Sequence, residues 1–137
     1  MDLRHLTTPR LRLDAVVPGD LDAHAALLSD PGTWEHLPSG RRTSAEQTTA
    51  GIAHSQRHWA RDGLGYWTAR LRADLGGLRA GQVVGTGGCA RRDGTDWWDL
   101  HYRFTPAARG QGLAAERLVY ADRPLDADLP ARVAALP

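Results

Sequence analysis

The hexapeptide Arg109-Gly110-Gln111-Gly112-Leu113-Ala114 fits the pattern Arg/Gln-x-x-Gly-x-Gly/Ala. In such a loop successive backbone N–H groups converge on a pyrophosphate, with a helix dipole behind them. Glycines are required because a Cβ would block close approach of the backbone. A chain rich in Arg, Gly and Ala meets this pattern by chance, and it recurs at Gln82-Val83-Val84-Gly85-Thr86-Gly87. Context separates the two. The Gln82 match lies inside a β-rich run that leads into an Asp-Gly turn, so it has no helix N-terminus to offer. The Arg109 match lies between a strand and a helix, where it is either an anion site or a plain Gly-rich turn. Gly110 to Ala115 also satisfies a dinucleotide fingerprint ending in Ala. That fingerprint expects the first strand of a βαβ unit, whereas an antiparallel meander precedes it here, so nicotinamide binding is not expected.

Other residues are candidates for chemistry. Asp99, His101 and Arg103 share one strand face by two-residue alternation; against this, Asp99 reads equally as a solvent-facing residue and His101 as a packed histidine. His54 and His58 stand four apart on a predicted helix, but without the Glu of His-Glu-x-x-His or a third ligand no metal site is expected. Trp97, Trp98 and Tyr102 read as sheet packing. Cys89 reads as a small buried hydrophobe. Arg41-Arg42 and Arg91-Arg92 read as solvated flanks. Trp34, in a polar loop containing Pro38, is either a lid anchor or an acceptor contact.

The elements that must position these residues are legible from periodicity. Leu11 to Val16 alternates as a half-buried strand. Pro18-Gly19-Asp20 stops it and offers Asp20 as N-cap to a helix carrying Leu21, Ala25 and Leu28, which ends at Asp30-Pro31-Gly32. After an irregular stretch from Thr33 to Arg42, Thr43 with Glu46 and Ser44 with Gln47 both supply a capping-box register for a helix running to about Arg61. Tyr66 to Leu71, Gln82 to Arg91 and Trp97 to Phe104 are three predicted strands, with Leu75 to Gly81 a Gly-rich turn region. Arg92-Asp93-Gly94-Thr95 carries the hairpin signal between the last two. Leu113 to Ala121 opens a helix that Pro124 must close, and Arg132 to Leu136 reads as one more strand. The order β-α-α-β-β-β-α-β describes a mixed α/β domain.

Length and charge restrict the function classes. The 137 residues fit one domain, 1–137. With 17 basic and 16 acidic residues there is no field for gripping nucleic acid or an anionic membrane. No apolar run approaches a membrane span and no signal peptide is visible. A single cysteine permits no internal disulfide and no cysteine zinc cluster, so a reducing, cytoplasmic setting is the default. All 17 basic residues are Arg and there is no Asn, a bias expected of a GC-rich bacterial genome.

Four blocks in order resemble the GNAT superfamily of acyl-CoA-dependent N-acetyltransferases, most closely its ribosomal-protein N-terminal (RimJ/RimL-type) branch. They are Thr8-Pro9-Arg10-Leu11-Arg12-Leu13, Gly65-Tyr66-Trp67, Val84-Gly85-Thr86-Gly87-Gly88, and the run from Asp99 to Ala114. The resemblance implies a mostly antiparallel central sheet flanked by helices and direct acetyl transfer from acetyl-CoA to a primary amine, a protein N-terminus or a small-molecule amine. Phe104 and Thr105 would pair with the pantetheine arm. The N–H groups of Arg109, Gly110, Gln111, Gly112, Leu113 and Ala114 would hold the pyrophosphate, and Trp34 would line the acceptor side. An amine must be neutral to attack, and a carboxylate or imidazole can take its proton. Asp99, where the branch often has Glu, is the first candidate base, and His101 the second.

The resemblance weakens after the cofactor loop. Arg123-Pro124 interrupts the helix, and the family's later elements, including a Tyr near the leaving thiolate, have no counterpart. A sheet shortened in this way would leave an open edge, inviting a homodimer. The alternatives are a truncated form of a longer gene, or a non-catalytic CoA-binding or oligomer-forming module.

Overall fold

The computed structural model describes residues 2–35 and 37–113. Five strands form one sheet in sequence order, every neighbour antiparallel: β1 (His5–Thr7), β2 (Leu11–Ala15), β3 (Tyr66–Leu71), β4 (Val83–Arg91) and β5 (Trp98–Phe104). Two helices, α1 (Leu21–Ser29) and α2 (Ala45–Asp62), lie between β2 and β3 in sequence. The helix expected from Leu113 to Ala121 and the strand expected at 132–136, with its open edge, lie outside the described residues.

β1 is absent from the periodicity reading because three residues carry no alternation. It exists because the Thr8 hydroxyl accepts from Leu11 N (3.0 Å) and Thr8 N donates to Leu11 O (2.8 Å), closing a tight hairpin onto β2. The other boundaries follow local chemistry. Ser44 caps α2 by accepting from Gln47 N, and Gly63 ends it at φ +69, its N–H returning to Trp59 O. Between β4 and β5, Arg92 N donates to Trp97 O (2.8 Å) around the left-handed Gly94.

Alternation gives the sheet two unlike faces. Leu11, Leu13, Trp67, Ala69, Leu71, Val84, Cys89, Trp98 and Phe104 point to one side and join Leu3, Leu64, Leu78, Ala108 and Leu113 in the core. Trp98 is buried as expected, whereas Trp97, just before β5, is 75% exposed and Tyr102 is also exposed, so of the three aromatics expected to pack on the sheet only Trp98 is buried. In the strand register, Thr68, Thr86 and Arg103 form one row on the opposite face, and Tyr66, Gly88 and His101 the next. Helices α1 and α2 pack over this second face.

Candidate acyl-transfer site

The cofactor loop begins where β5 ends. Thr105 N donates to Val84 O (2.8 Å), extending the pairing with β4 by one residue beyond Phe104. Pro106–Ala108 then makes one 3-10 turn, closed by Ala108 N to Thr105 O and Arg109 N to Pro106 O. Gly110 and Gly112 follow at φ +75 and +76, and Leu113 beyond them is buried. A Cβ at Gly110 would meet nothing within 4 Å, so glycine is needed there for its dihedral angle and not for space. The N–H groups of Gly110, Gln111 and Gly112 donate to no backbone carbonyl among the described residues. Left-handed glycines with N–H groups unengaged make an anion-binding concavity, so the loop fits a pyrophosphate. The N–H of Arg109 is already given to Pro106, and its guanidinium ties the loop to the α1–α2 connection through Glu35 and Gly32 O. Ala114 lies outside the described residues. Among them β5 is an edge strand, leaving its outer backbone groups for an extended ligand.

A cavity of about 110 Å³ opens on the other side of β5, between the sheet face and α1 and α2. Leu28, Ile52, Val16 and Trp34 give it apolar walls; His24, Arg42, Thr48, Tyr66 and His101 bring polar groups. Trp34 is held from two sides: its Nε1–H donates to Leu28 O (2.7 Å), and the Arg103 guanidinium lies 4.4 Å from its ring centre. Gly40 makes room for this ring, since a Cβ there would fall 2.3 Å from it. His101 stacks on Tyr66 at 5.4 Å, and its centroid is 6.4 Å from that of Trp34. Gly88 stands between Tyr66 and His101 in the strand register, so no side chain separates the two rings.

Asp99 shares the face of His101 but does not line this cavity. It is exposed and borders a second, more open hollow with His54, His58 and Asp93. His54 and His58 bond to each other through their Nε2 atoms (2.9 Å), so one donates and the other accepts. Burial, then the neighbouring His54 and Arg61, hold the His58 imidazole below its ordinary pKa. No group of three metal-ligating side chains forms among the described residues.

The sequence reading missed a buried chain of polar groups behind the cavity. Asp20 was expected to cap α1, but its side chain caps nothing in that helix. It turns inward, 4% exposed, where Oδ2 accepts from Val17 N (3.1 Å) and from the Thr68 hydroxyl (2.8 Å), and Oδ1 accepts from Arg70 (2.6 Å). Thr68 Oγ1 is also 2.8 Å from His24 Nε2. The single hydroxyl proton goes to Asp20, so His24 must donate from Nε2, and the neutral ring presents Nδ1 as an acceptor. Burial holds the His24 pKa down, against the pull of the Asp20 charge. Burial alone would raise the Asp20 pKa; the Val17 N–H, Arg70 and Thr68 outweigh it and lower it. The spacing Asp20-x-x-x-His24, one helical turn, was the sequence signal available.

Comparison with known proteins bears on the fold and the family. The family described as the acetyltransferase (GNAT) domain matches residues 10–121. An acetyltransferase from Agrobacterium tumefaciens str. C58 is similar in structure, with TM-score 0.67 and 22% identity over 89% of this chain and 67% of that one. A protein from Bordetella pertussis assigned to the GNAT family superposes with TM-score 0.68 at 20% identity, over 88% of this chain and 73% of that one. A protein from Vibrio cholerae assigned as a ribosomal-protein-serine acetyltransferase gives TM-score 0.63 at 14% identity, over 86% and 64%. No curated protein matches the chain. The five-stranded antiparallel sheet, the glycine loop after β5 and the family match over residues 10–121 together make this chain a member of the GNAT acetyltransferase family.

Proposed function

We propose that the chain transfers an acetyl group from acetyl-CoA to a primary amine that enters the cavity under Trp34. The observation that carries this reading is that the N–H groups of Gly110 to Gly112, beyond the end of the strand whose inner face lines the cavity, donate to no backbone carbonyl among the described residues. When bound, acetyl-CoA supplies the activated acetyl group. Gly110, Gln111 and Gly112 donate N–H groups to its pyrophosphate, and the outer edge of β5 near Phe104 and Thr105 pairs with the pantetheine amides. The apolar walls strip water from the amine and favour its neutral, nucleophilic form. His101, at the cavity wall, takes the proton that the nitrogen sheds as it is acylated. Asp99, about 7 Å further along the same face, passes that proton to solvent. A protein N-terminus is one acceptor in this reading, supported by the RimJ/RimL-type motifs; small amines are the other.

The test is free-thiol release from acetyl-CoA with a panel of amines and N-terminal peptides. His101→Gln should lower kcat about 100-fold, and Asp99→Asn less, with acetyl-CoA binding intact in both. Full activity in both variants would remove these side chains from the mechanism. A folded chain that fails to bind acetyl-CoA in a calorimetric titration would refute the reading as a whole.

A further inference from the structure

Polar atoms on and beside the cavity wall have no partner among the described residues. Thr48 is 2% exposed, and its hydroxyl, on the cavity lining, bonds to nothing among them. Arg42 lines the same cavity, and its Nε is buried without a partner. Gly51 leaves α2 bare where this guanidinium lies, since a Cβ there would stand 3.3 Å from Arg42 Nη2. Arg103, against Trp34, also has a buried Nε without a partner. The nearby carboxylates are engaged elsewhere: Asp20 with Arg70, Asp62 with Arg61 and Arg91, Glu35 with Arg109. No carboxylate lines the cavity among the described residues. One guanidinium and an orphan hydroxyl on the lining, a second guanidinium behind Trp34, and no carboxylate on the lining among the described residues describe a site for an anion beside an apolar surface.

We infer that the acceptor is a small amine that also carries a carboxylate, an amino acid with a compact apolar side chain. The inference rests on the acetyl-transfer reading above. The carboxylate faces Arg42 and Thr48, the side chain lies against Leu28, Trp34 and Ile52, and the amine is left toward His101. A cavity of about 110 Å³ is well below the roughly 300–1,000 Å³ of pockets that take larger ligands, and with no acidic residue on its lining among the described residues it presents no counter-charge to a polyamine or aminoglycoside. A peptide N-terminus would bring a neutral carbonyl where the site presents positive charge.

The test is calorimetric titration of the full chain, without acetyl-CoA, using L-alanine, L-valine, their amides and a dipeptide with N-terminal valine. The free amino acids should bind about tenfold tighter than the amides. In Arg42→Gln that preference should disappear, and in Arg42→Lys part of it should return. Equal affinity for acid and amide, a preference unchanged in Arg42→Gln, tighter binding of the dipeptide, or no binding by the folded chain would each overturn the inference. Acetyl-CoA titrated into the same preparation reports separately on the acetyl-transfer reading. Its binding without a carboxylate preference sinks only the inference; its failure to bind sinks the reading and leaves the preference measurable.

Discussion

Replacing Thr68 by Val tests the buried polar chain with almost no change of shape. The Thr68 hydroxyl stands 2.8 Å from both His24 Nε2 and Asp20 Oδ2, and all three residues are 4% exposed or less. Two losses follow. Asp20 loses a hydrogen bond to an ionised group, about 1.5–3 kcal/mol, and the His24 N–H is left buried against a methyl, about 1–3 kcal/mol. Asp20 keeps Arg70 and the Val17 N–H, and His24 can shift tautomer, so relaxation recovers part of the sum. The expected cost is about 3 kcal/mol, a large fraction of an ordinary domain's stability, and a Tm lower by roughly 10 °C. Urea unfolding followed by tryptophan fluorescence measures it, with the midpoint shifting and the slope unchanged. In a His24→Leu background no imidazole donor remains to be orphaned, so Thr68→Val should cost about 1–2 kcal/mol less there. A Thr68→Val cost under about 0.5 kcal/mol, or strict additivity with His24→Leu, would refute the chain as described.

Gly88→Ala should unfold the protein or cost more than about 3 kcal/mol, because its Cβ would sit 2.1 Å from Gly65 O, whereas Gly19→Ala, with nothing within 4 Å, should be near neutral in the same melt. Gly112→Ala places a side chain at φ +76, costing about 1–2 kcal/mol, and should weaken acetyl-CoA several-fold; Gly94→Ala at φ +74 should cost as much stability and leave binding unchanged by calorimetry. Stability should fall as pH drops from 7 to 5. Below the ordinary histidine value of 6.5 the unfolded chain takes up protons that buried His24 and His58 resist, each worth up to about 1.4 kcal/mol per pH unit. His24→Leu should roughly halve that fall in urea titrations across this range. Asp20, whose carboxyl is held below 3.8, adds stability that is full above that pH and lost as pH falls further, so Asp20→Asn should flatten the acid limb.

The elements legible in the sequence were those written in local chemistry. Alternation marked β2, strand-forming composition marked β3 and the β-rich run of β4 and β5, Ser44 and Gly63 marked the ends of α2, and Asp93-Gly94 marked the β4–β5 hairpin, because dihedral preference and capping act within a few residues. The glycine loop was legible as a pattern, but the positive φ at Gly110 and Gly112 and the engagement of the Arg109 N–H are facts of the folded backbone. Asp20 was misassigned for a related reason. A cap competes with any stronger partner, and Arg70, 50 residues away, supplies a charge that a local N–H does not.

The sequence by itself determined the fold class, the strand face shared by Asp99, His101 and Arg103, and the place of a glycine loop after the last strand of the meander, since each depends on spacing along the chain. Only the tertiary structure decided that His101 lines a cavity while Asp99 stands outside it. It alone joined His24 to Thr68 across 44 residues and set Arg42 Nε and the Thr48 hydroxyl on one wall with no partner among the described residues. Burial and pairing are properties of surfaces brought together by packing, and periodicity carries no term for which distant side chain completes a hydrogen bond.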